Sequence, residues 1–551
     1  MSVISDLTEK ANDKLKILED LTSNVKQIQD NVLEEILTLN TNTEYLQRFF
    51  HGKFDKEIFK KNVPVVTYED VKPYIQRVAN GEPSNVISTR PITGFLLSSG
   101  TSGGAQKIMP WNEKERRAMM FYFTKLESIT PSGLPARIAS SSYLKSSYFK
   151  NRPCNWYYTY TSPDEVILCP DNKQSLYCHL LCGLKRGYEN GFYLCFSHGP
   201  SNQSLENSWE ELCSNIRSGQ LSEWITDPGC RDSVSIVLGG PHPEVANTIQ
   251  KICNQKCWEG ITTRLWPRTK YIETIVTVCS HIELLRNDML PLVSTIYASS
   301  ETTFGLNLNP LCKPEDVSYT IMPNVSYFEF IPLDGDENDV VDLADLKLGC
   351  SYELVVTNFS GLYRIRVGDI LLVTGFYNKA PQLRFIRRDS VVLSIDMDKT
   401  NEEDLFNAVN RAKLIINSSG LMLTDFTSHG DISTIPGHYV IYWEVEDKRE
   451  DKTKQMELNE DALSECCLVM EDSFDNVYKR CRFKEKTVGP LEMKVVRHGT
   501  FDSLMNFFIS QGGSIGQYKT PRCIGSGKPL ELLEKCMVAT FFSTGDCSFK
   551  N

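Results

Sequence analysis

The sequence predicts an α/β protein of two unequal domains, and three observations carry that prediction. A chain of 551 residues is longer than one core normally organises, so it divides. Short β-branched or aromatic runs alternate with helical stretches through most of its length, which favours an α/β architecture with ligands at the loops leaving the strands. That alternation then breaks at a single acidic turn.

Taken in order, "LTEKANDKLKILEDLTSNVKQIQDNVLEEIL" repeats apolar residues every three or four positions between charges and reads as an amphipathic surface helix. Strands are expected at "TGFLL", "SVSIVLGG", "YIETIVTV", "LPLVSTIY", "SYFEFIPL", "YELVVTNF" and "DILLVTGFY". The break falls near "VVLSIDMDKTNEEDLFNAV", where an acidic turn meets a new helix. This places a hinge at Asp398 and Lys399, with a large domain over 1–398 and a small one over 399–551. In the latter, "GHYVIYWEVE", "LEMKVVRHG" and a terminal helix suffice for a compact α+β unit. There is no internal repeat or low-complexity tract.

Composition narrows the function. Lys and Arg number 59 against 70 Asp and Glu, a net charge of −11, which argues against a general partner for nucleic acid or anionic membrane. The basic run "KRCRFKEK" (479–486) reads as a solvated face or strand edge. Eighteen cysteines lie scattered, without a signal peptide, a membrane-spanning stretch or a paired C-x-x-C, so reduced thiols in the cytoplasm are expected. Cys178, His179 and Cys182, and Cys253 with Cys257, have helical spacing without a second half-site and read as core, not metal ligands. Oligomerisation leaves no signal, and a monomer is the default expectation.

Four stretches carry chemistry. In "LLSSGTSGGAQKIMPW" (96–111), a strand delivers the chain into Ser98, Ser99, Gly100, Thr101, Ser102, Gly103 and Gly104, followed by Lys107. Glycines let backbone N–H groups turn toward a ligand and hydroxyls add donors, a cradle for phosphate that is neither a Walker A nor a dinucleotide fingerprint. "IYASSETTFG" offers Tyr297 as an aromatic face, Ser299 and Ser300 as donors, and Glu301 as a carboxylate for Mg²⁺. "GLYRIRVGDIL" sets Asp369 behind a glycine, where a carboxylate accepts hydrogen bonds from ribose hydroxyls. "GQYKTPRCI" presents Lys519 in a Gly/Pro-bounded loop, a mobile cation. Individually, each of the last three is equally an ordinary buried turn, strand-end acid or surface lysine.

Their order removes that ambiguity. A Ser/Thr/Gly loop with lysine, Tyr-x-Ser-Ser-Glu, Tyr-Arg-x-Arg-x-Gly-Asp and a late lysine together resemble the adenylate-forming enzymes of firefly-luciferase-like architecture. Most closely they resemble the plant acyl-acid amido synthetases of the auxin-responsive Gretchen Hagen family. "FLLSSGTSGGAQK", "YASSETTFG", "YRIRVGD", "VVLSIDMDKTNEEDL" and "GQYKTPRC" carry the resemblance over nearly the whole chain. The nearest branch attaches glutamate to benzoate-type or isochorismate-type acids in salicylate metabolism. The resemblance implies that ATP and Mg²⁺ activate a carboxylic acid as acyl-AMP, and that an amino acid then displaces AMP. It implies further that Ser98, Ser99, Thr101 and Ser102 hold phosphate, Tyr297 to Thr302 line the nucleotide, and Asp369 holds ribose. Lys399 is implied near the phosphate, and Lys519 enters when the small domain swings.

Against that family the chain departs in three places. After "MPWNEKERR" it goes straight to "AMMFYFTKLES", without the helix that lines the acyl pocket and supplies an arginine, a role Arg116 and Arg117 do not fill. Codons permitted for "KRGYENGFYLCFSHGPSNQ" (185–203), read one nucleotide later, spell "SVVMRTGSIFASVMVRAI", an apolar helix resembling the family at this position. Out-of-frame translation or a faulty gene model is inferred, and residues 185–205 are expected to pack poorly and leave a cavity. "VCSHIELLRNDML" (278–290) stands shortened and shifted where the family has a Gly-Gln-Tyr loop. Two functions follow: an active amido synthetase, or an inactive relative that binds nucleotide only. A thioester-forming acyl-CoA ligase ranks third.

Overall fold

A computed structural model describes residues 15–50, 55–97, 107–112, 127–129, 135–138, 162–169, 171–190, 200–255, 258, 260–269, 271–273, 290–333, 339–388, 391–447, 459–510, 518 and 520–543. The described residues form two compact units that part between Ile386 and Arg387.

In the first unit, the opening helix breaks at Asn24, and Val25–Asn40 then buries Val25, Val32, Leu33, Ile36 and Leu37 along one face. Gln29 docks it, donating to the carbonyls of Pro323 (2.7 Å) and Ser326 (2.8 Å) and accepting from Phe328 N. A first sheet runs β2 (Ile108–Trp111), β1 (Gly94–Leu97), β4 (Pro135–Ile138), β3 (Glu127–Ile129), with β1 parallel only to β4. Strands β5 (Ile272–Glu273) and β6 (Leu292–Val293) form a separate parallel pair.

A second, eight-stranded sheet contains β7 (Ile296–Ala298), β8 (Thr303–Leu306), β9 (Tyr319–Ile321), β10 (Tyr327–Pro332), β11 (Val341–Asp342), β12 (Ser351–Thr357), β13 (Ile365–Tyr377) and β14 (Ala380–Arg388). Its order is β11-β10-β12-β13-β14-β9-β8-β7, and the runs β11 to β13 and β14 to β7 are antiparallel. Strands β10 and β12 are buried almost throughout, as their continuous apolar runs require.

A third group of elements in this unit is helical: Asp164–Leu168, Asn172–Asn190, Pro200–Ser218, Pro228–Leu238, Pro243–Cys253 and Ile261–Leu265 share one core. "SVSIVLGG", expected as a strand, is the end of Pro228–Leu238. Asp227 caps that helix by accepting from Cys230 N, Pro228 starts it, and Gly239 ends it at φ +64°. Cys178 and Cys182 are buried core, as expected; Cys257 lies outside the described residues.

The stretch expected to pack poorly, 185–205, is helical at both ends. Asn172–Asn190 runs through Lys185, and Pro200–Ser218 begins inside it and buries Leu205. Leu181 and Leu184 on one side and Leu212 and Ile216 on the other propagate the helices inward. Residues 191–199, the middle of the stretch expected to leave a cavity, and most of 278–290 lie outside the described residues.

His179, on Asn172–Asn190, has Nδ1 2.5 Å from Ser162 Oγ, and burial pushes its pKa down to about 4. An unfolded histidine titrates near 6.5, so between about pH 6.5 and 4 the unfolded chain binds a proton that the folded chain refuses. Stability therefore falls as pH drops through that window. The urea midpoint is expected to decline from pH 7 to pH 5 in the wild type and less steeply in His179→Gln; parallel slopes would exclude His179 as the cause.

In the second unit, β15 (Val391–Leu393) and β16 (Thr400–Asn401) pair with each other. A four-stranded sheet then runs β17 (Leu421–Asp431), β18 (His438–Asp447), β19 (Glu492–Val496), β20 (Met537–Phe542). Strand alternation builds two cores from β18. Tyr439, Ile441, Trp443 and Val445 face the helices Glu402–Ser418 and Glu460–Ser473, while Val440 and Tyr442 face Thr500–Ser510 and Lys528–Lys535. The last described element is thus a strand, β20, beyond the terminal helix expected from sequence. "KRCRFKEK" is helical rather than a strand edge, with Lys479, Arg480 and Arg482 paired to Asp472, Glu485 and Glu471.

Candidate active site

Strands β1 and β2 frame the Ser/Gly loop, closing in register at Leu97 and Ile108. Ser98, Ser99, Gly100, Thr101 and Ser102 themselves lie outside the described residues. Where the loop rejoins β2, Lys107 Nζ sits 5.4 Å from the centre of the Tyr68 ring, and Tyr68 Oη accepts from Ile108 N at 2.9 Å. Tyr68 opens the helix Tyr68–Ala79, whose Thr67–Asp70 capping box fixes its first turn. Burial is the main force pushing the Tyr68 phenol up, with smaller contributions from the Glu69 and Glu301 charges.

Glu301 stands in the turn between β7 and β8. Ser299 N donates to Thr302 O (2.9 Å), closing the turn, and the Glu301 carboxylate accepts from Ser299 Oγ (2.6 Å) and Ser300 Oγ (3.0 Å). Asn358 Nδ2 holds the Glu301 carbonyl at 2.9 Å. Thr302 is fully buried and its hydroxyl meets Ser326 Oγ at 2.9 Å, a structural contact.

Tyr297, at the start of the same hairpin, donates from Oη to Asp369 Oδ2 at 2.6 Å. Its ring is held by Phe304 (4.5 Å) and Tyr319 (5.5 Å). Asp369 is aimed by a bulge in β13: pairing steps from Val355 with Arg366 to Glu353 with Ile370, leaving Val367, Gly368 and Asp369 opposite Leu354 alone. Gly368 at φ +81° allows that step. The structure thus brings together Tyr297 and Asp369, two residues the sequence separates by 72 positions.

The flanking arginines of "YRIRVGD" are committed elsewhere. Arg364 forms a buried two-pronged pair with Glu329 (2.9 and 3.0 Å), and Arg366 grips Glu353. Sequence reasoning missed Tyr68 and Asn358. The Thr67-x-x-Asp70 box signalled the first, but nothing local distinguished the second.

Within the second unit, Lys399 is exposed between the buried Asp398 and Thr400. Lys519 lies outside the described residues, but its flank is fixed: Thr520 and Arg522 both bond Asp425 on β17, and Arg522 stacks 4.3 Å over Phe426. The stretch that lacks the expected acyl-pocket helix, 113–126, is also outside the described residues.

This fold is an α/β architecture shared with the acyl acid amido synthetases: the solved structure of GH3.15 acyl acid amido synthetase superposes with a TM-score of 0.86, at 46% identity over 98% of both chains. Models of the GH3 family N-terminal, central and C-terminal domains match residues 14–286, 319–388 and 403–528. The chain belongs to the GH3 family, as its motifs led us to expect. It is 66% identical to the 4-substituted benzoates-glutamate ligase GH3.12 of Arabidopsis thaliana, over 98% of this chain and all of that one. To the indole-3-acetic acid-amido synthetase GH3.17 of the same plant it is 48% identical over 96% of each. The first alignment spans 578 positions, more than the 551 residues available here, so that relative carries stretches this chain lacks.

Proposed function

We propose that this chain is an ATP-dependent acyl-acid amido synthetase, a ligase that forms carbon–nitrogen bonds. The observation that carries the reading is the Tyr297–Asp369 hydrogen bond on the bulge of β13, in a chain so similar to a benzoate–glutamate ligase. A substrate carboxylate oxygen attacks the α-phosphorus of ATP, the bond to the β-phosphate oxygen breaks, and pyrophosphate leaves. The amine of the amino acid then attacks the acyl carbon, AMP departs with the former carboxylate oxygen, and the amine loses its proton.

Asp369 accepts from the ribose hydroxyls, and Tyr297 holds that carboxylate in place through its hydrogen bond. Ser98, Ser99, Gly100, Thr101 and Ser102 bind phosphate, and Ser299, Ser300 and Thr302 line the nucleotide. Glu301 would hold a Mg²⁺ through the oxygen that accepts from the Ser299 and Ser300 hydroxyls, and the ion would supply neutralisation of phosphate charge. Lys399 and Lys519 serve as the cations of the two half-reactions, carried by the small C-terminal domain as it moves.

The acyl substrate we assign is a benzoate-like acid and the acceptor is glutamate, from the 66% identity. We place the enzyme in the cytoplasm as a monomer; the location is supported by the described cysteines, none of which is joined in a disulfide. No described helix is long and apolar enough to cross a membrane. The inactive alternative draws no support from the relatives above, each of which bears a synthetase or ligase name.

Pyrophosphate release on a panel of benzoates, with and without glutamate, tests the reading. Acid-dependent release with a glutamyl amide as product is expected. Release without amide would remove the synthetase assignment, thioester formation on adding coenzyme A would favour the acyl-CoA ligase, and no release would favour the inactive relative.

A further inference from the structure

The turn carrying Lys399 is exposed, yet it is fastened at one point. Its ends are the short pair β15 and β16, and between them Ser394, Asp396, Met397 and Lys399 face outward while Asp398 is fully buried. The Asp398 carboxylate accepts from Asp396 N (2.7 Å) and Ile395 N (3.2 Å), so it folds the turn around itself. Two backbone N–H groups leave a buried carboxylate short of partners, and the missing one comes from outside the turn. Tyr439 Oη, from β18, donates to Asp398 Oδ2.

The same hydroxyl lies 3.0 Å from Thr400 Oγ1, which can donate to it, and 3.2 Å from the Leu393 carbonyl. One phenol oxygen thus touches the residue before the turn, the residue within it and the residue after it. The phenol is itself immobile: Tyr439 is fully buried, with Phe474 at 5.5 Å edge-on and Tyr478 at 5.0 Å. A rigid ring on a central strand is a far stiffer anchor than the turn's own backbone, in which only two N–H groups are committed.

We infer that Tyr439 is a positioning residue for Lys399: its hydroxyl clamps residues 393–400 to the core of the second unit, so the lysine is presented on a fixed arm. A consequence is that the turn moves with the second unit as one piece, and any bending between units takes place before Val391 rather than at Asp398 and Lys399. The inference about the lysine's use rests on the amido synthetase reading; the clamp itself does not.

The test uses the full-length protein and two readouts. In the wild type, trypsin is expected to spare the Lys399–Thr400 bond despite its exposed lysine. In Tyr439→Phe, which keeps the ring and its packing, cleavage there should accelerate at least about tenfold, because the hydroxyl's bonds to Asp398 and Thr400 are what closed the local opening. Pyrophosphate formation should lose about tenfold or more in kcat with the KM for ATP nearly unchanged, a split that loss of general packing would not give. Thr400→Ala, which removes one donor, should show both effects more weakly.

Unchanged cleavage in both variants would overturn the clamp. Faster cleavage with unchanged kcat would uphold the clamp and overturn the role assigned to Lys399. Should Tyr439→Phe fail to fold, the same two readouts on Thr400→Ala decide between these outcomes.

Discussion

Asp369→Ala is expected to reduce pyrophosphate formation at least about a hundredfold while leaving the protein folded. A carboxylate that accepts two ribose hydroxyls makes two charge-assisted hydrogen bonds, each of about 1.5–3 kcal/mol. Their joint loss amounts to about 3 kcal/mol or more, and every 1.4 kcal/mol is tenfold. Asp369→Asn keeps an acceptor but not the charge and should fall between the two. Tyr297→Phe removes the donor at 2.6 Å and leaves the buried carboxylate less well held, with about a tenfold loss expected. The effect should appear as a raised KM for ATP and a lowered kcat, with the KM for the acid largely spared. Equal rates for Asp369→Ala and wild type would show that the bulge of β13 presents its acid to something other than the nucleotide.

What the sequence made legible was the local part of this arrangement. "TGFLL" announced β1 through its apolar run, whereas β2 at "IMPW" and the bulge behind Gly368 became visible only in the structure. Where a helix and a strand compete for the same β-branched residues, composition misled. Val234 and Leu238 are buried four positions apart while Ile236 between them is 79% exposed, a helical period that "SVSIVLGG" hid behind its strand propensity. Long-range roles were the least visible. Nothing near Arg364 names Glu329, thirty-five residues earlier on another strand, and nothing near Asp398 names Tyr439. The family resemblance placed those stretches in the site without separating the groups facing a ligand from those that brace them.

Arg364 illustrates the difference, and its removal carries the largest expected effect on stability. Its guanidinium meets Glu329 through Nε and Nη2 at 2.9 and 3.0 Å, and Nη1 donates to the carbonyls of Lys60 and Val63, both at 2.8 Å. Burial pushes the Glu329 carboxyl upward, and Arg364 is the main force opposing it. Arg364→Ala would leave that carboxylate buried and alone, a loss of about 3–5 kcal/mol. Lysine cannot restore the two-pronged geometry, so Arg364→Lys should recover only part of it. Replacing both charges at once, as in Glu329→Gln with Arg364→Met, should cost less than Arg364→Ala alone, because no unpaired ion remains.

The backbone adds a second consequence. Arg364 sits at φ +51° and its carbonyl accepts from Val66 N, while Arg366 N donates back to Val66 O, tying β13 to the segment that leads into Thr67 and Tyr68. The same residue therefore joins the strand bearing Asp369 to the helix bearing Tyr68. Urea unfolding of the three variants measures the stability order, and pyrophosphate release at low urea shows whether activity follows it. A midpoint for Arg364→Ala within about 1 kcal/mol of wild type would mean that Glu329 has taken up a proton or found water, and that the pair does not brace the site.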